Sequence, residues 1–363
     1  MLIAARQIWL EHGLRQDMGL WLEAGRVARI APIDGATADL EVPLALPLLT
    51  DLQVNGGGGV MINGDPTPEG IARVAAAHRG RGTGAILATV ITDSQDVIEA
   101  AGRAALVLRG ETGCVGLHIE GPHIAPERRG THSAAHIRPL DRRMVDFVCN
   151  LRREGLPVML TLAPERADPD LMAELVESGA VLSGGHSTAT AEETRDALAR
   201  GLRAFTHLYN AMPPMTSRAP GILGAALNSE AFAGIIVDGI HVDWDMVRIA
   251  LRARPRPGLT FPVSDAMATV GGPEEFTLYG ETIRVQDGAL VNAEGSLAGA
   301  HLDLVQSLRN LVEHVGVPLA EAIPMVSDIP RAVMRLPACQ IAEGMAVDDL
   351  LMLSEHFEIL ELP

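Results

Sequence analysis

Short apolar runs bounded by Gly, Pro and polar residues recur along the chain at 46–54, 84–92, 113–120, 156–164, 179–186, 201–210, 234–242 and 258–265. Each reads as a strand, and between most of them the apolar positions switch to helical spacing. In TPEGIARVAAAHR (67–79), Thr67 is the expected N-cap and Pro68 the first helical residue. In TAEETRDALARG (190–201), Thr190 and Glu193 form a capping-box pattern and Gly201 the stop. Strand and helix alternating roughly eight times predict the α/β class, as a parallel (β/α)8 TIM-type barrel. Sites in that architecture lie at the C-terminal ends of the strands.

The two ends of the chain follow a different rhythm. LIAARQIWL (2–10), GLWLEAGRVARIAP (19–32) and DDLLMLSEHFEILEL (348–362) alternate like strands. They predict a small β-sandwich built from 1–44 and 336–363 beside a barrel spanning 45–335. EFTLYGETIRVQDGALV (275–291) reads as a hairpin-like insertion after the eighth strand.

At 363 residues and 47% hydrophobic content, the chain can bury one barrel with a small accessory unit. No run reaches the ~18–20 uninterrupted apolar residues of a transmembrane helix. Charge at Arg6, Glu11 and Arg15 interrupts any signal-peptide core, so a cytoplasmic protein without a membrane partner is expected. Cys114, Cys149 and Cys339 have no paired spacing, which argues against both a disulfide framework and a cysteine zinc site. A net charge of −17 disfavours nucleic acid as partner, while a small anion held by local basic residues remains compatible.

Glu120, His186, His207 and Asp265 each stand at the downstream end of an apolar run, in GLHIEGP, VLSGGHS, AFTHLYNAMPP and FPVSDAM. Two carboxylates and two imidazoles suit a hydrolytic metal site. Three protein ligands leave a position open for water, and the remaining carboxylate can take its proton. Taken singly, a strand-end His is more often structural, and Asp265 could be an N-cap. His118, on the same strand face as Glu120, is expected as a hydrogen-bonded core residue. His123 and His136 are expected in surface loops, His78 and His314 solvated on helices, and His301 at a helix start facing the surface. Arg128 and Arg129 read as a solvated pair able to steer an anion toward the site.

The strings GLHIEGPHIAPERRGTH (116–132), SGGHSTAT (183–190), FTHLYNAMPPMTSRAPGILGAAL (205–227), IIVDGIHV (235–242) and PVSDAMATVGG (262–272) resemble, in order, the N-acetylglucosamine-6-phosphate deacetylase family of the amidohydrolase superfamily. The most specific piece is THLYNAMPP followed by Arg218-Ala219-Pro220-Gly221. The resemblance implies hydrolysis of the acetamide of N-acetylglucosamine 6-phosphate. It makes Glu120, His186 and His207 ligands of one divalent metal ion, zinc in the first instance, with iron, manganese or cobalt compatible. Asp265 becomes the proton-transferring base and acid, and His132 the group that helps polarise the acetyl carbonyl. Asn210, Ala211 and His241 join His132 in lining the sugar site, Arg218 meets the phosphate, and a homodimer is implied.

Two departures stand out. Gln53-Val54-Asn55 replaces the His-x-His pair of many amidohydrolases, which argues against a second metal there. Pro47-Leu48-Leu49-Thr50 replaces the usual Pro-Gly, so the start of the first barrel strand is expected to differ. His123, in place of an aromatic residue, could alter the pocket. Other readings are the galactosamine epimer or a cyclic amide as substrate, and a barrel retained as a sugar-phosphate sensor. The intact carboxylates and histidines argue against the sensor. An aldolase would need a Schiff-base lysine in a chain whose basic residues are almost all arginine.

Overall fold

The computed structural model describes residues 1–111, 113–293, 295 and 297–362; Pro363, where the predicted second segment of the sandwich ends, lies outside the described residues. The chain begins with strands β1 (Leu2–Leu10), β2 (Gly13–Glu23), β3 (Arg26–Pro32) and β4 (Leu40–Pro47). β1 pairs antiparallel with β2 and parallel with β4. Residues of these strands, including Ile3, Ile8, Leu20 and Val42, share one buried cluster with Ile341, Leu350 and Met352 of the C-terminal segment.

Leu48 then carries the chain into the barrel. It takes no left-handed backbone. Its N–H donates to the Asp349 carbonyl at 3.0 Å, and its side chain occupies the space left by Gly84, where a Cβ would lie 2.5 Å from that of Leu48. Leu48 therefore packs directly on Gly84 at the start of the first barrel strand.

Strand β5 (Leu49–Val54) is followed by a short hairpin, β6 (Gly56–Gly57) and β7 (Val60–Met61). Helices and strands then alternate: α1 (Pro68–Arg79), β8 (Thr83–Ile91), α2 (Gln95–Val107), β9 (Cys114–Glu120), α3 (Arg142–Arg153), β10 (Val158–Leu162), α4 (Pro169–Glu177) and β11 (Val181–Gly184). They continue as α5 (Ala191–Ala199), β12 (Ala204–Phe205), α6 (Gly221–Leu227), β13 (Phe232–Ile235), α7 (Trp244–Ala253) and β14 (Thr260–Pro262). The eight strands lie in one parallel sheet, in the order β5-β8-β9-β10-β11-β12-β13-β14. Its two edges meet through a Val54–Ala266 bridge and through Ser264, whose N–H lies 3.3 Å from both Asp51 carboxylate oxygens. Burial pushes the Asp51 carboxyl up to about 7, against the bonds from Ser264 and Gln53. This closure gives the (β/α)8 barrel that the alternation predicts.

Thr67 caps α1, accepting from Gly70 N–H at 3.1 Å. At α5 the Thr190–Glu193 box is formed in both directions, at 3.2 and 2.8 Å. All the barrel strands but β8 are shorter than the apolar runs that announce them. In 201–210 only Ala204–Phe205 remain in the sheet, because His207 turns out of the strand with a φ of 29°.

The insertion after β14 holds more than a hairpin: β15 (Glu275–Leu278), β16 (Glu281–Gln286), β17 (Ala289–Val291) and β18 (Leu297–Ala300) form a four-stranded antiparallel sheet. Leu278, Ile283 and Leu290 seat it on Met61, Ile91 and Met267 at the C-terminal end of the barrel. After α8 (Leu304–Asn310), α9 (Leu319–Val326) and α10 (Asp328–Val333), β19 (Leu350–Leu353) returns to pair antiparallel with β4. The rest of 348–362 does not continue as strand beyond a single Leu353–Ile359 bridge. Ser354 Oγ accepts from the N–H groups of His356 and Glu358 at 3.2 and 3.1 Å and turns the chain there. Among the described residues no helix is long and apolar enough to cross a membrane.

Candidate active site

Glu120 closes β9, and His186 and His207 stand two residues beyond β11 and β12. Asp265 stands three residues beyond β14. Glu120 Oε1 lies 3.1 Å from His186 Nε2 and 3.0 Å from His207 Nε2, and the two imidazole nitrogens are 3.0 Å apart. His186, His207 and Asp265 all have left-handed backbone, with φ of 49°, 29° and 50°. That conformation costs roughly 1–2 kcal/mol for a residue with a Cβ. It directs the three side chains across the end of the barrel instead of along their strands.

The two carboxylates are pushed in opposite directions. Burial would raise Glu120, but its bonds with His186 and His207 outweigh that and hold it well below the usual carboxylate range. Burial and the nearby Glu120 charge push Asp265 up to about 6. Burial would lower His207, but its bond with Glu120 and that carboxylate's charge outweigh burial and leave it raised. Gln53 Nε2 donates to Glu120 Oε1 and to Asp265 Oδ1, both at 3.0 Å, and Asn55 Nδ2 donates to Asp265 Oδ1 at 2.7 Å. The residues that replace a His-x-His pair here are amide donors: Gln53 bridges the two acids, and Asn55 adds a second bond to Asp265.

His132 joins from the loop after β9. Its ring centroid is 4.4 Å from that of His186, and burial followed by the His186 charge lowers its pKa to about 3. Donor atoms of Glu120, His132 and His186 lie within 4.8 Å of one another, so His132 is a geometric rival to His207 as third ligand. The tighter set is Glu120, His186 and His207. Its fit to a divalent cation rests on chemistry: His186 Nδ1 lies 2.7 Å from the Arg128 carbonyl, which can only accept, leaving Nε2 with its lone pair. Two facing imidazole nitrogens beside a buried carboxylate are the donor set of such an ion.

These residues line a cavity of about 200 Å3 together with Asn55, Asn210, Ala211, Ile236, His241 and Leu297. His241 is held by Asp238, whose Oδ2 is 2.6 Å from Nδ1; burial opposes ionisation of Asp238, but this bond keeps its pKa below the usual value. A neighbouring cavity of about 550 Å3 shares Gly130, Thr131, His132 and Leu297 and reaches Arg129 and the insertion sheet. Arg218 lies on an exposed loop and lines neither cavity.

A sequence model of the amidohydrolase family matches residues 44–359. The chain belongs to this family. It is 39% identical over 303 residues to the N-acetylgalactosamine-6-phosphate deacetylase of Shewanella sp. strain ANA-3, covering 82% of this chain and 76% of that protein. It is 34% identical to the N-acetylglucosamine-6-phosphate deacetylase of Haemophilus influenzae, covering 86% and 80%. The crystal structure of N-acetyl-D-glucosamine-6-phosphate deacetylase from Mycobacterium smegmatis superposes with a TM-score of 0.90 at 29% identity, covering 99% of this chain and 97% of that one.

Elsewhere in this amidohydrolase two histidines depart from expectation. His78 is buried under the β6–β7 hairpin, Nε2 2.9 Å from the Gly56 carbonyl, because its helix face packs on the barrel. His123 is buried too, Nδ1 3.1 Å from the Arg138 carbonyl, so the loop after β9 folds inward instead of lying on the surface. His118 is the hydrogen-bonded core residue expected, 2.7 Å from Thr161 Oγ1. Thr92, which ends the run 84–92, went unremarked in the sequence, although its strand-end position is the same signal that marks Glu120.

Proposed function

We propose that this amidohydrolase removes the acetyl group of N-acetyl-D-glucosamine 6-phosphate, giving D-glucosamine 6-phosphate and acetate, as a cytoplasmic homodimer of amino-sugar breakdown or cell-wall recycling. The observation that carries this reading is the meeting of Glu120, His186 and His207 at 3.0–3.1 Å in a cavity that Asp265 and His132 also line. The activities named for the Shewanella and Haemophilus relatives support it.

Glu120, His186 and His207 would hold one divalent ion per subunit. Zinc is our reading, and iron, manganese and cobalt accept the same donors. Bound there, such an ion supplies Lewis-acid polarisation of a carbonyl and acidifies water near neutral pH. Asp265 accepts the proton of the attacking water as the new C–O bond forms. It returns that proton to the amine nitrogen as the C–N bond breaks, since an amine leaves poorly unless protonated. Gln53 and Asn55 hold the Asp265 carboxylate in place during both transfers. His132 stabilises the charge that gathers on the acetyl oxygen.

The Asp238–His241 pair, Asn210 and the Ala211 backbone would bind the sugar. Arg218 is assigned to the phosphate, where a guanidinium bonds two oxygens. Its exposed loop outside the cavity suits delivery to the neighbouring subunit. The 39% identity to the Shewanella protein favours a second reading, the galactosamine epimer, since one pocket contact can reverse a preference at the fourth carbon.

Acetate release from both sugars by metal-stripped protein, resupplied with zinc, iron, manganese or cobalt, tests the proposal. Metal-restored release from the glucosamine derivative supports it, release from the epimer alone supports the second reading, and silence with every metal refutes both. Arg218→Ala should weaken binding of the phosphorylated sugar; an unchanged preference over unphosphorylated N-acetylglucosamine would remove its phosphate role.

A further inference from the structure

Three contacts run through Thr92, a buried residue with no role in the mechanism above. Its Oγ1 lies 2.8 Å from His132 Nδ1, its backbone N–H donates to the same nitrogen at 3.4 Å, and its carbonyl accepts from Tyr279 OH at 2.8 Å. A backbone N–H can only donate, so this long contact biases His132 Nδ1 toward offering its lone pair, and the shorter hydroxyl contact supplies most of the preference. A proton on Nδ1 would set two N–H groups against each other. The imidazole proton therefore sits on Nε2.

The Thr92 hydroxyl reinforces this choice. Its other acceptor, the Glu120 carbonyl, is farther away at 3.4 Å, and the hydroxyl proton directed at Nδ1 satisfies the shorter contact. Glycine at 121 leaves the space that Thr92 Oγ1 occupies, since a Cβ there would lie 2.2 Å from it. Tyr279 pins the Thr92 carbonyl from the insertion sheet, so the frame that sets His132 is built from both units.

His186 is set the opposite way. Its Nδ1 faces the Arg128 carbonyl at 2.7 Å, which demands a proton on Nδ1 and leaves Nε2 as a lone-pair donor. Two neighbouring imidazoles, 4.4 Å apart between ring centroids, thus carry opposite tautomers. We propose that Thr92 is a positioning residue that fixes His132 as the Nε2–H tautomer, making it a hydrogen-bond donor to the oxygen of the scissile acetamide and withholding it from the metal ligand set. The tautomer follows from the fold alone, and only the identity of the oxygen rests on the proposed deacetylation.

The test uses full-length protein with 15N-labelled histidine. Long-range proton–nitrogen NMR spectra of the metal-free form report the protonated nitrogen of each imidazole, with His132 assigned by its loss in His132→Gln. The wild type and Thr92→Ser should show His132 protonated on Nε2, while Thr92→Val should show a mixture or a shift toward Nδ1. With whichever of the two sugars turns over, Thr92→Val should lower kcat about ten- to a hundredfold. Metal content and KM should hold, and Thr92→Ser should restore the rate. Wild-type His132 protonated on Nδ1 overturns the proposal, as does Thr92→Val with an unaltered kcat. The wild-type spectrum decides even if Thr92→Val fails to fold. A protein silent toward both sugars would sink the deacetylase reading and leave the tautomer measurement intact, so the two failures are distinguishable.

Discussion

The two ends of the barrel solve the same backbone problem with different residues. At the N-terminal end, glycines with φ between 79° and 104° stand just ahead of β8, β9, β10, β11, β12 and β14. At the C-terminal end, glycines such as Gly121 and Gly239 share the left-handed positions with His186, His207, Tyr209, Ala211 and Asp265. Glycine adopts this conformation at little steric cost, whereas each residue with a Cβ pays for it. The interior follows the same division. Toward the N-terminal end it is an apolar cluster including Leu52, Leu87, Met159, Val181 and Phe261, while the other end buries Glu120, His132, His186 and His207. Strain and buried polarity gather where side-chain chemistry is needed, and the opposite end supplies the packing that holds them.

The sharpest way to separate the two ends is His186→Ala, which should abolish metal binding and turnover together. Metal analysis after dialysis checks it, and a full equivalent of retained metal would break the assignment of that end. Asp265→Asn keeps the shape and removes the proton acceptor, so metal content should persist while kcat falls by about 10²–10⁴. Near-normal turnover would mean another group moves the proton. At the packing end the effect should be on stability: Phe261→Ala leaves a cavity worth roughly 3–5 kcal/mol in urea unfolding, with metal stoichiometry unchanged.

The smallest effects test the backbone comparison itself. Gly201→Ala, at a φ of 104° and with its Cβ 2.9 Å from Val176 Cγ1, should cost about 1–2 kcal/mol. Ala211→Gly, at a φ of 53°, should stabilise by up to about 1 kcal/mol, because relief of strain outweighs the entropy that glycine loses on folding. Unfolding midpoints of the same sign for both variants would contradict the division of labour.

Much of the fold was legible because its signals are local. Thr67 and the Thr190–Glu193 box act within one helical turn, and the apolar runs bounded by glycine mark the barrel strands. The downstream ends of those runs named the residues that meet at 3.0–3.1 Å, since a parallel barrel brings every such end to one face. The shortening of 201–210 to a two-residue strand was less legible, because apolarity reports burial and His207 leaves the sheet while Leu208 stays buried. His78 and His123 misled for a related reason: a polar residue in a helix or loop reads as solvated until something packs over it.

By itself, then, the sequence determined which segments alternate as strand and helix, which donor types stand at the strand ends, and which family the motifs resemble. All of these depend on spacing along the chain. Tertiary structure alone decided what those donors do to one another. Gln53 became the bridge between Glu120 and Asp265, and Asn55 a second donor to Asp265, across separations of 67 to 212 residues. The two carboxylates were driven apart in pKa, and His132 and His186 received opposite tautomers from Thr92 and Arg128. Protonation follows from which atom lies within hydrogen-bond reach and how much water is excluded, and only the closed barrel specifies either.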